Sequence, residues 1–71
     1  SYYPVSGTIY VSFVVGKQGE ITDVKIARSL DADHDKAALE VVEKMPNWKP
    51  AKINNQPVRC KMVLPFKFSQ K

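Results

Sequence analysis

Four kinds of residue in this 71-residue chain could carry chemistry: one cysteine, one histidine, a run of alternating aspartates, and a set of lysines and arginines gathered late in the sequence. Asp31, Asp33 and Asp35 alternate like the ligands that open a calcium loop, but the glycine and the twelfth-position glutamate of such a loop are missing. Their carboxylates suit a helix start, where a side-chain oxygen accepts an orphan backbone N–H and negative charge meets the positive helix end. His34 stands among them with no Cys or His companion at metal-ligand spacing. No Ser or Cys motif offers it a nucleophile to activate. It falls on an apolar stripe, so its expected role is structural. Cys60 has no second cysteine to pair with, and its place on an apolar face predicts burial as a small hydrophobe. No carboxylate pair, metal cluster or nucleophile constellation is left over. No catalytic residue, metal or cofactor is expected, and the chain reads as a non-enzyme.

The cations remain. Residues 1–43 hold four Lys or Arg against seven Asp or Glu, a net −3; residues 44–71 hold seven Lys or Arg and no acid, a net +7, which together give +4. A basic half attracts nucleic acid or an acidic partner, and charge alone does not choose between them. A hydrophobic fraction of 44% and a charged fraction of 25% are ordinary globular values and exclude wholesale disorder. No apolar run is long enough to span a membrane, and no basic stretch leads into an apolar one as in a signal peptide. Ser1, in place of Met, suggests a piece cut from something longer. Residues 1–71 are expected to form a single domain with a thin core.

The elements that must position these residues follow from periodicity. Ile9, Val11, Phe13 and Val15 alternate with Thr8, Tyr10, Ser12 and Val14, the pattern of a half-buried strand beginning at Gly7. Gly16-Lys17-Gln18-Gly19 closes a hairpin, with Gly19 suited to a left-handed position. A second strand runs from about Glu20 to Ser29, so the hairpin covers residues 7–29. Its inward residues Ile21, Val24 and Ile26 slip in spacing from three to two, which predicts a bulge near Thr22 or Asp23. A helix over residues 31–45 carries Ala38, Val41, Val42 and Met45 at i, i+3, i+4 and i+7. Pro46 ends it. Residues 46–57, with three prolines, read as a stiff irregular loop. The last strand, residues 58–68, places Val58, Cys60, Met62, Leu64, Phe66 and Phe68 on one face. Pro65 lacks an amide hydrogen, which favours a sheet edge. Right-handed crossover then gives a two-layer α+β fold: a three-stranded antiparallel sheet of order 2-1-3 with one helix on one face.

These residues resemble the TonB C-terminal domain family. Gly7-x-Ile9-x-Val11-x-Phe13-x-Val15 and Gly19-x-Ile21-x-x-Val24-x-Ile26 look like its opening hairpin. Met45-Pro46-Asn47-Trp48-Lys49-Pro50-Ala51 looks like its helix-terminating motif, and Asn55-x-Pro57-Val58 with Leu64-Pro65-Phe66-x-Phe68 looks like its closing strand. The likeness runs from about Tyr3 to Phe68. It implies the periplasmic domain of an inner-membrane-anchored energy transducer in a Gram-negative bacterium. Such a domain adds the TonB box of an outer-membrane TonB-dependent transporter as a strand beside its own last strand. An ExbB–ExbD motor, reached through an amino-terminal region, supplies energy from the proton-motive force for nutrient uptake such as that of siderophores. Family members carry a short helix before the first strand, whereas only residues 1–6 precede Gly7; Tyr3-Pro4 resembles a remnant of it. Its shortening would expose apolar surface and favour a homodimer.

The residues read as partner-binding are therefore Arg59, Lys61, Val63, Pro65 and Lys67 on the last strand, with Tyr3 and Pro4. An exposed edge accepts a peptide strand through main-chain bonds. The same lysines and proline also blunt an edge against aggregation, and the two roles can coexist. A basic nucleic-acid-binding domain is the runner-up from another class. Phe66 and Phe68 point to the core, however, and the basic strand residues are read as having no aromatic neighbour on their own face. A third possibility is a TonB-like adaptor on another envelope protein, such as a membrane metallopeptidase sensor. Trp48 is expected to cover the open end of the core where the helix stops.

Overall fold

A computed structural model describes residues 6–69 of the chain. The order of elements is β1 (Gly7–Val15), β2 (Ile21–Arg28), α1 (Ala32–Glu43), β3 (Ala51–Ile53), β4 (Gln56–Val58) and β5 (Cys60–Phe68). The main sheet has the order β2-β1-β5, all antiparallel, and β3 and β4 form a separate two-stranded sheet. This is the 2-1-3 α+β arrangement that the apolar spacing predicts.

β1 is central because its alternate residues have the most to bury. Ile9, Val11 and Phe13 are wholly inaccessible, and Val15 nearly so. With Ala38 and Val42 of α1 they make the core, at about 1.5–3 kcal/mol for each large side chain withdrawn from water. The two neighbouring strands line it with half-buried residues: Ile21, Val24 and Ile26 from β2, and Met62, Leu64, Phe66 and Phe68 from β5. The helix stripe is rotated from the expected one. Val41 is 50% exposed, while Leu39 packs on the core. At 100° per residue the line through Ala38 and Val42 carries Leu39 on its inner flank and turns Val41 to solvent.

The helix starts where the carboxylates dictate. Asp31 is extended (φ −153°, ψ 167°) and accepts the His34 backbone N–H at 2.9 Å. That bond, with the His34 ring nitrogen at 2.7 Å, holds the Asp31 carboxyl below its ordinary pKa against some desolvation. Asp35 reaches back to accept from the Leu30 N–H at 2.9 Å and from the Ser29 hydroxyl, fixing the turn out of β2.

Two strand irregularities shape the molecule. Ser12 pairs with Lys25 and Val14 with Thr22, so β2 has one residue too many there, and Asp23 takes a left-handed φ of 54°. This is the bulge signalled by the slipped spacing. A second shift lies between Tyr10–Arg28 and Val11–Ile26. The other irregularity corrects the expectation of a structureless loop over residues 46–57. Ala51, Lys52 and Ile53 pair with Val58, Pro57 and Gln56 around Asn54 and Asn55, whose φ values of 50° and 64° are both left-handed. Two left-handed central residues make the tight hairpin turn that matches strand twist, and asparagine tolerates it best after glycine.

Gly19 is where the layers are tied. Its φ is +85°, its carbonyl accepts the Trp48 N–H at 2.8 Å, and a Cβ there would run into the Trp48 carbonyl. The chain leaving the helix is thereby clipped to the β1–β2 turn, and the Trp48 ring stands edge-on to Phe13 at 5.3 Å. Trp48 closes the open end of the core.

Candidate functional site

The backbone parity of β1 decides which groups of β5 are free. Gly16 donates its N–H to the Glu20 carbonyl at 2.8 Å. Gly16 and the even-numbered residues of β1 therefore turn their backbone groups toward β2, and the odd-numbered ones turn toward β5. In the unbroken register of β1 with β5, the odd residues Gly7, Ile9, Val11, Phe13 and Val15 face Phe68, Phe66, Leu64, Met62 and Cys60. Those five residues of β5 bond to β1. Lys61, Val63, Pro65 and Lys67 turn their backbone groups the other way, to the open edge. Pro65, opposite Tyr10, falls in the set that gives no bond to β1, so its missing N–H leaves the internal ladder intact.

The side chains follow the same alternation. Lys61, Val63, Pro65 and Lys67 are exposed on the face away from α1, whereas Cys60, Met62, Leu64, Phe66 and Phe68 are half-buried beneath it. Among the described residues, Val63 is one of three large hydrophobic side chains that stand out to solvent, at 48% exposure. The edge therefore presents an aliphatic residue between two lysines, above three N–H donors. Chemically it can bond the main chain of an extended segment and hold a carboxylate beside it.

Arg59 behaves differently from the lysines. Its guanidinium reaches across the outer face to Asp23 at the β2 bulge, 3.3 Å away, with both side chains largely exposed. An ion pair so open to water contributes about 0–1 kcal/mol. Lys61 and Lys25 line a shallow depression on the same face with Ser12, Val14 and Asp23. The basic strand does have an aromatic neighbour on its own face: Tyr10 of β1 stands half-buried opposite Pro65, contrary to expectation. Period two along a single strand shows which residues share that strand's face; which face of β1 joins them depends on register.

His34 stays outside this edge, whereas the Cys60 thiol donates weakly to the Lys61 carbonyl at 3.6 Å. The His34 ring lies edge-on to Phe68 at 4.7 Å and bonds to its own capping aspartate, which is the structural place that the stripe predicts. Cys60 is half-buried on the inner face, short of the burial expected of it as a small hydrophobe. Tyr3 and Pro4 lie outside the described residues. The residue that sequence reasoning missed is Asp23, whose left-handed bulge aims its carboxylate at Arg59; the slipped spacing of β2 was its signal. Among the described residues, no helix is long and apolar enough to cross a membrane.

Comparison with known proteins adds a family. Residues 4–69 match the model described as Gram-negative bacterial TonB protein C-terminal. Neither the curated proteins nor the solved structures give a significant match. A family match over nearly the full length, on a fold with the predicted strand order, leads to one statement: this chain belongs to the family of C-terminal domains of Gram-negative bacterial TonB proteins.

Proposed function

We propose that the open edge of β5 is the docking site by which this domain takes hold of an outer-membrane transporter. The TonB box, an extended segment at the transporter's amino terminus, would join the sheet as a fourth strand next to Lys61 and Val63. Family membership supports the broader statement, since this is a periplasmic, non-catalytic, transport-associated domain type. The finer statement rests on one observation. Among the described residues, the nine-residue β5 pairs with β1 along one side only, and its outward N–H groups have no strand partner.

The mechanics suit the role. Main-chain bonds along a strand pair share load when the pair is pulled lengthwise, and the β1–β5 ladder behind the edge would carry that load into the core. Energy would come from a proton-driven ExbB–ExbD motor through an anchored amino-terminal region. Lys61 and Lys67 would steer an acidic segment and raise its association rate more than its final affinity.

A titration of the isotope-labelled domain with a transporter amino-terminal peptide tests this. Amide shifts confined to Val58–Phe68 are expected. Shifts spread over lysines with short single-stranded DNA, and none with the peptide, would make the family likeness one of fold without this function.

A further inference from the structure

We infer that Pro65 is a register stop on the open edge of β5: it ends the stretch that an added strand can pair with, and it keeps two copies of this domain from joining edge to edge. The first half rests on the strand-docking function proposed above; the second stands without it.

The edge offers four outward residues, Lys61, Val63, Pro65 and Lys67, of which three have an N–H to give. A strand laid along it meets two complete donor–acceptor positions in succession, at Lys61 and Val63. The next position has a carbonyl and a pyrrolidine ring. An incoming carbonyl that reaches Pro65 finds no donor and has already lost its water. Continuing to Lys67 means crossing that gap for one further position. Pairing is therefore confined to the Lys61–Val63 half, whose side chains set a cation beside an aliphatic residue on the outer face. Arg59 extends the positive charge beyond that half, tied to Asp23. The occupant that fits is a short extended segment carrying a carboxylate.

Self-pairing is blocked by the same residue. Two β5 strands related by a two-fold axis pair residues whose numbers sum to a constant. Sums of 126, 128 and 130 are the registers that overlap three or more of the four outward positions. Each of them places both copies of Pro65 at bonding positions, so two donors are missing. The longest of these, with sum 128, also sets Lys61 against Lys67 twice, like charge against like. A flat nine-residue edge without such a device would be a template for pairing with its own kind.

Pro65→Val restores the amide and supplies a good strand former; Pro65→Ala restores the amide with the least added bulk, should valine disturb the fold. Sedimentation and amide exchange are read together for each variant and for the parent chain. The variants are expected to sediment with increasing concentration toward twice the 8.0 kDa mass. Exchange at Val63 and Lys67 should slow at least tenfold in them and stay fast in the parent. A variant with intact β1–β5 protection whose mass and exchange match the parent's would overturn the self-pairing claim. In the peptide arm, the acidic amino-terminal peptide of an outer-membrane transporter should protect the Lys61 and Val63 amides in the parent and extend to Lys67 in Pro65→Val. Protection of Lys67 in the parent would overturn the register stop. A peptide that leaves β5 untouched in every protein would refute strand docking itself and with it the register stop, while the sedimentation arm would still decide the self-pairing claim.

Discussion

The two edges of the main sheet are built in opposite ways. β2 carries two register shifts in eight residues, with a left-handed Asp23 at one of them, so its outer side presents no even row of donors and acceptors. β5 pairs with β1 through nine consecutive residues without a shift. A bulge bends and twists a strand away from a further neighbour; an unbroken strand invites one. One side of the sheet is therefore closed to strand addition by backbone geometry, and the other is left open except at Pro65. On the proposed reading, docking in so small a domain is directed by local irregularity, with no pocket required.

The sharpest way to break this contrast is to remove a second outward amide from β5. Val63→Pro should weaken peptide binding more than about tenfold, or about 1.4 kcal/mol, while melting and the β1–β5 protection pattern change little; calorimetry and amide exchange check both. Gly19→Ala comes next and tests the clip that holds the helix exit to the hairpin. With φ at +85° and the Trp48 carbonyl in the way of a Cβ, it should lower stability by more than about 1 kcal/mol in urea unfolding.

Charge reversal at Arg59 and Lys61 is expected to act on rate. Association by stopped flow should slow about three- to tenfold and lose part of its salt dependence, with a smaller change in dissociation. The smallest effect concerns Asp31. Its folded pKa is depressed, so the stabilisation is present above its unfolded pKa and is lost as pH falls through the folded value. Asp31→Asn should flatten the acid limb of the stability curve slightly and leave stability near neutral pH almost unchanged, because asparagine also caps.

Much of this contrast was legible in the chain. Strict alternation from Ile9 to Val15 and from Cys60 to Phe68 marks the two strands that pair without a shift, and a slip in spacing marks the strand that does not. The Asp31 cap was legible because a helix start needs a side-chain acceptor. The β3–β4 hairpin was not, since Pro50 and Pro57 break any alternation and only the Asn54-Asn55 pair betrays the turn. The rotation that exposes Val41 depends on where the sheet sits under α1, and four apolar residues at helical spacing fit either orientation. The Arg59–Asp23 pair spans 36 residues, and no local pattern encodes a contact at that distance. Which amides of β5 face outward also needed the hairpin register, through the Gly16–Glu20 bond.

The central claim is that a partner strand joins β5 at Lys61 and Val63 and nowhere on β2. The most direct test is amide chemical-shift mapping of the labelled domain with a transporter amino-terminal peptide at two salt concentrations. The account predicts shifts along β5, strongest at Lys61 and Val63, that persist at the higher salt, with β2 silent. Shifts centred on β2 or the helix, or none on β5, would contradict it.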